Sequence, residues 1–454
     1  MRKIIQYMMM ALIAVVLASC ANDISEESTP TVKSNIRFVV DDFPMFEKPS
    51  TRTIGEEDKG KTAWAVGDEI CVKLESKELG IQTATLKYNG VKFEIQDGNS
   101  LCYLEGEPVT AYAYYAPNRR WRNGSLDFKD IFGNPNGTAE FLEATCTVHY
   151  GDNNYVDISF ANATRNYSRL RIATIPKTEI NVDAKDFSPT DNPNLLDMTY
   201  TLTSDEKGNA YLYGTFHNNS IVTVKYRGAT LKTYKFSKET ENAKSYALDA
   251  TVISANSAEE IKSAIQKEVA DGKTAIRLNI ASDAGANEFN AIREAFENVQ
   301  DATIDLTLIG CKEIPADGLN DIKALKSIFL PDVTKIGKNA LFRCVYLKEI
   351  CAPNVSTIDE RAFAGFIMLE KVTLGELTDV RGEANSGSGI FDDDNWAQYI
   401  DLYLPKNQEV MKGEFDNNSN QYIWKPTGEN YFASSDFDNG IFLGYQFNSV
   451  KSWE

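Results

Sequence analysis

Few side chains in this sequence have the type and spacing that enzyme chemistry requires. The only histidines are His149 and His217, and neither stands in a metal-binding or nucleophile-activating motif such as H-E-x-x-H. We interpret both as structural histidines of strand-like segments. The sequence also contains no G-x-S-x-G elbow, phosphate-binding loop or dinucleotide fingerprint. We therefore predict that the protein is not an enzyme and uses no cofactor.

Two clusters of side-chain oxygens have the ligand type that hard cations prefer. They are Asp392–Asn395 and Asp436–Gly440. Both lack the ordered ligand spacing and the distal bidentate glutamate of an EF-hand loop. We interpret them as solvated turns, with loosely bound calcium as the alternative, and assign no metal site.

One cysteine stands where covalent modification would occur. Cys20 follows Leu17-Ala18-Ser19 at the end of an apolar run from Met8 to Leu17. This run is shorter than the roughly 20 residues of a transmembrane helix and has the length of a signal-peptide core. Ala18 and Ser19 have the small side chains of a signal-peptide cleavage site. A secretory signal with an incidental cysteine is the alternative interpretation.

The Leu17–Cys20 segment resembles the lipobox of bacterial lipoproteins. The resemblance implies that residues 1–20 are a lipoprotein signal peptide and that Cys20 is lipidated, which anchors the protein to a membrane. Residues 21–35 are polar and lack apolar periodicity, so they predict a flexible tether. Ser25-Glu26-Glu27 resembles the surface-export signal of Bacteroidetes lipoproteins, with a solvated linker as the alternative. We expect an outer-membrane protein exposed on the cell surface.

The charge of the chain narrows the choice of partners. Lys and Arg number 47 and Asp and Glu number 65, which gives the 454 residues a formal net charge of −18. Binding to a phosphate backbone depends on clustered Lys and Arg, so a nucleic-acid partner is disfavoured. The same field disfavours docking on anionic lipid, and membrane attachment therefore has to come from a dedicated segment.

The six cysteines other than Cys20 form no dense disulfide framework. We interpret most of them as buried thiols. They are Cys71, Cys102, Cys146, Cys311, Cys344 and Cys351.

Residues 36–250 predict a long all-β region. Short alternating or β-branched runs, such as Glu69 to Leu74 and Ile221 to Tyr226, are separated by turn signals such as Asn89-Gly90. Several short strands at this spacing favour β-sandwiches, and the region is too long for one sandwich. We expect two halves, with residues 176–194 as a long loop near their junction.

Part of this region resembles the fimbrillin-like domains of Bacteroidetes pilus proteins. The resemblance lies in Thr51–Thr53 followed by Trp64–Val72, and in the later runs Tyr112–Pro117 and Ser245–Asp249. It implies a pilus-protein fold over about residues 36–250. Physically, an indole at Trp64 would fill the core of a sandwich, whichever family the domain belongs to.

A 22-residue period begins at Ile304 and marks a repeat array. Apolar residues recur in columns at this spacing: Leu325, Leu347 and Leu369; Leu306, Ile328, Ile350 and Val372; and Ile314, Ile336, Ile358 and Val380. The units 326–347 and 348–369 resemble BspA-type leucine-rich repeats. The residues that carry the resemblance are Ile336-Gly337, Ala340–Phe342 and Cys344.

The predicted fold is therefore mainly β. A fimbrillin-like β-sandwich region over residues 36–250 is followed by a short α/β cap over 251–302, in which Ser257–Glu260 reads as a capping box. A leucine-rich-repeat solenoid occupies residues 303–409, and an aromatic-rich C-terminal cap occupies 410–454.

Each repeat strand would place two apolar side chains inward and one outward between them. The outward positions and their neighbours are our candidate ligand-binding residues: Ser327, Phe329, Glu349, Lys371, Thr373 and Tyr403. Such a column gives a continuous surface whose chemistry varies without disturbing the core.

Three functions fit these patterns. The first is a surface adhesion or interaction protein that binds a protein or glycan on a cell or matrix surface. The second is an anchor or tip component in pilus assembly, with pilus subunits as partners. The third is a glycan-binding or hydrolytic surface lipoprotein.

Overall fold

The computed structural model describes residues 32–33, 36–48, 59–96, 101–104, 107–117, 120–122, 125–127, 136–150, 154–161, 165–190, 194–299, 301–392 and 396–453. The predicted signal peptide with Cys20, and the Thr51–Thr53 motif, lie outside the described residues. The fold is mainly β, which confirms the predicted class.

The first part of the chain is built on a seven-stranded sheet in the order β2-β11-β10-β7-β3-β4-β5. Its neighbours are antiparallel except for β2 and β11. Trp64 packs edge-to-face against Phe43, Phe93 and Tyr115 in the core beside this sheet, as the sequence predicts. The strands are β1 (Val32–Lys33), β2 (Arg37–Val40), β3 (Glu69–Ser76), β4 (Gly80–Tyr88), β5 (Phe93–Ile95), β6 (Tyr103–Leu104), β7 (Thr110–Tyr115), β8 (Arg120–Arg122), β9 (Ser125–Asp127), β10 (Leu142–His149) and β11 (Tyr155–Ser159).

The second part forms a six-stranded sheet with its own apolar core. The path runs β14-β13-β15-β12-β17, and β16 pairs with the far half of β15. Its strands are β12 (Ser168–Ala173), β13 (Glu179–Pro189), β14 (Leu196–Thr203), β15 (Asn209–Tyr226), β16 (Ala229–Lys235) and β17 (Ser245–Asp249).

The prediction of a long loop over residues 176–194 is wrong. Strand β13 occupies most of that segment, because Ile180, Val182 and Ala184 alternate with polar residues and are fully buried against the core. Strand β13 carries a bulge near Asp186, whose φ is 53°.

A short α/β segment precedes the repeats. It consists of β18 (Ile253–Ser254), α1 (Ala258–Ala270), β19 (Ala275–Asn279) and α2 (Ala286–Phe296). The Ser257 hydroxyl accepts a hydrogen bond from the Glu260 amide at 3.3 Å and begins α1, as the capping pattern predicts. Ile261 and Ile265 form the buried stripe of this amphipathic helix.

The remaining elements build the repeats and the C-terminal segment. They are β20 (Ile304–Ile309), β21 (Glu313–Ile314), β22 (Leu325–Phe329), β23 (Lys335–Ile336), β24 (Glu349–Ala352), β25 (Thr357–Ile358), β26 (Lys371–Leu374), β27 (Asp379–Arg381), β28 (Asp401–Pro405), β29 (Glu409–Asp416), β30 (Gln421–Asn430), α3 (Ser435–Asp438), β31 (Ile441–Phe442), β32 (Tyr445–Gln446) and β33 (Ser449–Trp453). Two 3₁₀ turns lie at Trp396–Tyr399 and Tyr431–Ala433.

The repeats produce two sheets. The larger has eight parallel strands in the order β18-β19-β20-β22-β24-β26-β28-β33. The other begins with the parallel strands β21-β23-β25-β27 and ends in the antiparallel hairpin β29–β30.

The apolar columns of the sequence become the repeat core. Leu325 and Leu347 are fully buried and Leu369 nearly so, because each coil brings position i + 22 beside position i. Burial of each such side chain stabilises the fold by about 1.5 to 3 kcal/mol.

No helix in the described part of the chain is long and apolar enough to cross a membrane.

Candidate ligand-binding face

The register of the eight-stranded sheet lines up outward side chains from successive strands. One row, which we name the middle row, consists of Thr307, Phe329, Cys351, Thr373, Tyr403 and Lys451. A second row, the ionic row, consists of Asp305, Ser327, Glu349, Lys371, Asp401 and Ser449. Together the two rows form the repeat face. All six residues that the sequence singles out lie on it.

The ionic row is held together by contacts between neighbouring strands. Ser327 Oγ donates to Asp305 Oδ1 at 2.6 Å, and Lys371 Nζ donates to Glu349 Oε1 at 2.7 Å. The bond to Glu349 raises the pKa of the Lys371 ammonium. A hydrogen bond from Ser449 lowers the pKa of Asp401, and Lys451 acts in the same direction. These groups are therefore charged at neutral pH.

Tyr403 lies between two ammonium groups. Lys371 Nζ is 5.3 Å and Lys451 Nζ is 5.4 Å from the centre of its ring, within the range of cation–π attraction. This contact fixes the half-buried ring among charged groups on an accessible part of the face. A planar aromatic group beside two ammonium groups can contact both apolar and anionic parts of a ligand.

The middle row is less open than the sequence suggests. Thr307 and Thr373 are each only 9% exposed. Burial raises the pKa of the Cys351 thiol to about 12, so this thiol is protonated and is a poor nucleophile. The six described cysteines are all free; Cys71, Cys311 and Cys344 are buried and the other three half-buried.

Sequence reasoning missed Lys451 and Trp453. Strand β33 joins the sheet beside β28 from the C-terminal segment, outside the 22-residue period. The only local signal is that Val450 is apolar between Ser449 and Lys451, which fits a strand with one buried face.

A turn of the second β region reaches the repeat face. The hairpin between β15 and β16 places Arg227 Nη1 2.6 Å from Asp332 Oδ1, and the Tyr226 hydroxyl donates to the same oxygen at 3.1 Å. At Gly228, where φ is 87°, a Cβ atom would lie 3.9 Å from the Phe329 ring. The turn therefore covers one side of Phe329.

Beside this turn lies a groove of about 660 Å³, which we name the junction groove. Its volume is in the range of small-molecule sites. The lining residues are Asn181, Arg227 and Gly228 from the second β region and Phe329, Cys351, Pro353, Asn354, Thr373 and Trp453 from the repeats. Trp453 Nε1 donates to the Leu374 carbonyl at 2.9 Å, which fixes the indole along the groove.

Both histidines make polar contacts on strands. His149 Nε2 is 2.9 Å from Asp157, and His217 lies 2.9 Å from both Ser188 Oγ and Glu239. The order serine, histidine, glutamate is that of a hydrolase triad. The His217 and Glu239 side chains are 34% and 61% exposed, however, so this network does not exclude water as preorganised catalysis requires.

The two acidic clusters differ: Asp392 lies in a turn, whereas Asp436 and Asp438 lie in the short helix α3, where the sequence predicted a turn. Asp392 accepts hydrogen bonds from the amides of Asn385, Gly387 and Gly389, while residues 393–395 lie outside the described residues. Among the described residues, no group of three or more His, Cys, Asp or Glu side chains is placed to hold a metal ion.

Comparison with known proteins identifies the repeats. A family model of the BspA-type leucine-rich repeat region matches residues 290–390 in six copies, which confirms the predicted repeat type. The match spans less than a quarter of the chain. No curated protein matches the sequence.

Three solved structures resemble part of the chain. A protein of Bacteroides fragilis described as a cell adhesion protein has 11% identity and a TM-score of 0.23, covering 48% of this chain and 92% of its own. The shaft pilin SpaA of Lactobacillus rhamnosus GG has 12% identity and a TM-score of 0.20, with coverages of 48% and 96%. The fimbrial anchor protein Mfa2 of Porphyromonas gingivalis has 11% identity and a TM-score of 0.20, with coverages of 44% and 80%. These TM-scores are too low to carry a functional argument, and the fimbrillin-like resemblance stays a prediction.

Proposed function

We propose that this protein is a lipid-anchored cell-surface protein that mediates adhesion by binding a partner through its repeat face. The observation that carries the proposal is the alignment of the ionic and middle rows on one parallel sheet. The apolar residues beneath these rows repeat every 22 residues, whereas the type of the outward side chain differs from strand to strand. A varied surface on a uniform core is the usual binding device of repeat proteins.

The open part of this face lies around Lys371 and Tyr403. The turn at Gly228 lies beside Phe329, which places that ring in the junction groove, and Thr373 is nearly buried. The Lys371 side chain is 44% exposed, and the ring of Tyr403 beside it is half-buried. A partner would therefore meet an aromatic ring flanked by ammonium groups.

The test is binding of the purified protein to arrays of host and bacterial surface proteins and glycans. We expect the double variant Lys371→Ala/Tyr403→Ala to weaken the binding of captured ligands about tenfold or more, as removal of central aromatic and charged contacts does. Lys335→Ala is a matched control on the other sheet, because Lys335 is 43% exposed and pairs with Glu313 across the same 22-residue interval.

Equal binding by wild type and the double variant would contradict the proposal. Co-purification with pilus subunits from native membranes, with no array ligand, would favour the pilus-assembly alternative.

A further inference from the structure

We infer that the junction groove binds an acidic oligosaccharide, with sugar rings against Trp453 and Phe329 and a carboxylate against Arg227. The inference rests on the proposed function of the repeat face and assigns that face a ligand class. The repeat period and the family match cover only one wall of this groove, since Asn181, Arg227 and Gly228 come from the second β region and Trp453 from the C-terminal segment.

Two aromatic side chains stand along the groove. The bond from Trp453 Nε1 to the Leu374 carbonyl draws the indole across β28 to the end of β26. Phe329 lies two strands away on β22, which is about 10 Å at the spacing of paired strands. Trp453 is half-buried and lines the groove, and its N–H is bonded to Leu374, so its ring rather than its N–H is available to a ligand. The C–H face of a pyranose ring packs against such a surface.

The polar lining suits sugar hydroxyls. Asn354 Nδ2 donates to the Pro331 carbonyl at 2.6 Å, and Asn181 Nδ2 donates to Thr201 Oγ1 at 3.2 Å. These bonds fix the two amides and leave each an oxygen that can accept from a hydroxyl. Donors and acceptors on short, fixed side chains are the kind of group that orients a ligand in a pocket.

The charge in the groove differs from that of the whole chain. None of the described lining residues is acidic, although the protein carries a net charge of −18. The nearby Asp332 faces two cations, with Arg227 at 2.6 Å and Lys312 at 3.9 Å, so its single negative charge does not cancel both. The Arg227 side chain is 51% exposed, and only Nη1 is bound to Asp332. Its other guanidinium N–H groups suit a ligand carboxylate.

The same geometry disfavours a peptide. Strand addition needs a free sheet edge, but β22, β24, β26 and β28 are each paired on both sides. A proline-rich peptide docks on aromatic grooves of this size. Its carbonyls would require donors from the rings, and the Trp453 N–H is committed to Leu374.

The experiment titrates the purified protein with oligogalacturonate, with its methyl ester and with a proline-rich peptide, using calorimetry. We expect oligogalacturonate to bind and the uncharged ester to bind more weakly. Trp453→Ala should weaken oligogalacturonate binding about tenfold or more. Trp453→Phe, which keeps an aromatic face, should retain most of the affinity and shows that the site is still folded. Phe415→Ala is the matched control, because Phe415 is an exposed aromatic outside the groove.

Binding that is unchanged in Trp453→Ala would overturn the groove as the site. Equal affinity for the ester, or no binding of oligogalacturonate, would overturn the acidic-sugar assignment, and binding of the peptide alone would replace it. In each of these cases the proposed function still stands if Lys371→Ala/Tyr403→Ala loses an array ligand. It fails separately if that double variant binds every array ligand as the wild type does.

Discussion

Arg227 and Asp332, which are 105 residues apart in the sequence, join the second β region to the repeats through a 2.6 Å hydrogen bond. The Asp332 side chain is only 3% exposed, and its other oxygen accepts from the Gly310 amide at 2.9 Å. A buried carboxylate is costly unless it is paired and hydrogen-bonded. These contacts therefore hold both the charge of Asp332 and the position of the turn that forms one wall of the junction groove.

Removing the guanidinium should loosen this junction. We expect Arg227→Ala to lower the free energy of unfolding by about 1 to 2 kcal/mol, below the loss for a fully buried pair because Arg227 is half exposed. Urea denaturation followed by tryptophan fluorescence measures the change. Lys312→Ala is the control, since its ammonium is 3.9 Å from Asp332 and should matter less. Equal losses in the two variants would count against a specific role for Arg227.

The inward and outward positions of a repeat can be compared at neighbouring residues. Leu347 is fully buried and Tyr346 is 41% exposed. We expect Leu347→Asp to cost about 3 to 5 kcal/mol, because the new charge has no partner in the core, and Tyr346→Asp to cost far less. Thermal melts of both variants decide this, and equal melting temperatures would show the register to be wrong. Thr373, an outward position in the sequence pattern, is too buried to serve as the exposed control.

The repeat register could be predicted from the sequence because every coil buries the same positions. Leu325, Leu347 and Leu369 follow one period, so the rows of outward side chains follow as well. The sequence also contains the signal for strand β13, because the apolar residues Ile180, Val182 and Ala184 alternate with polar residues.

The junction groove could not be predicted in this way. Trp453 enters the sheet from the C-terminal segment, and Arg227 comes from a turn of another β region. Whether Trp453 and Arg227 lie close together depends on how separate sheets pack, and no repeat or local pattern in the sequence indicates that packing. The limit between the β region and the α/β cap, which the sequence places at residues 250 and 251, stays a prediction that limited proteolysis can test, as do the other domain limits.

The lipid anchor is tested at Cys20. We expect Cys20→Ala to lose incorporation of a labelled fatty acid and to move from the membrane to the soluble fraction, because acyl chains would supply the attachment. Metabolic labelling and fractionation measure both effects, with Cys102→Ala as the control cysteine. A variant that remains wholly in the membrane fraction would contradict the proposed anchor, and protease shaving of intact cells tests surface exposure.

The pH dependence of the repeat face can be measured at Asp401. Hydrogen bonds from Ser449 and Lys451 lower its pKa in the folded state, so its ionised form stabilises the fold above the unfolded pKa of about 3.9. This contribution is lost as the pH falls through the folded-state pKa. We expect Asp401→Asn to be less stable than wild type at pH 7, by less than about 1 kcal/mol because the group is near the surface, and the difference to shrink by pH 3. Urea denaturation at both pH values measures it. Ser449→Ala removes one of these hydrogen bonds and should show part of the stability loss at pH 7. A stability difference between wild type and Asp401→Asn that grows towards pH 3 would contradict a lowered pKa of Asp401.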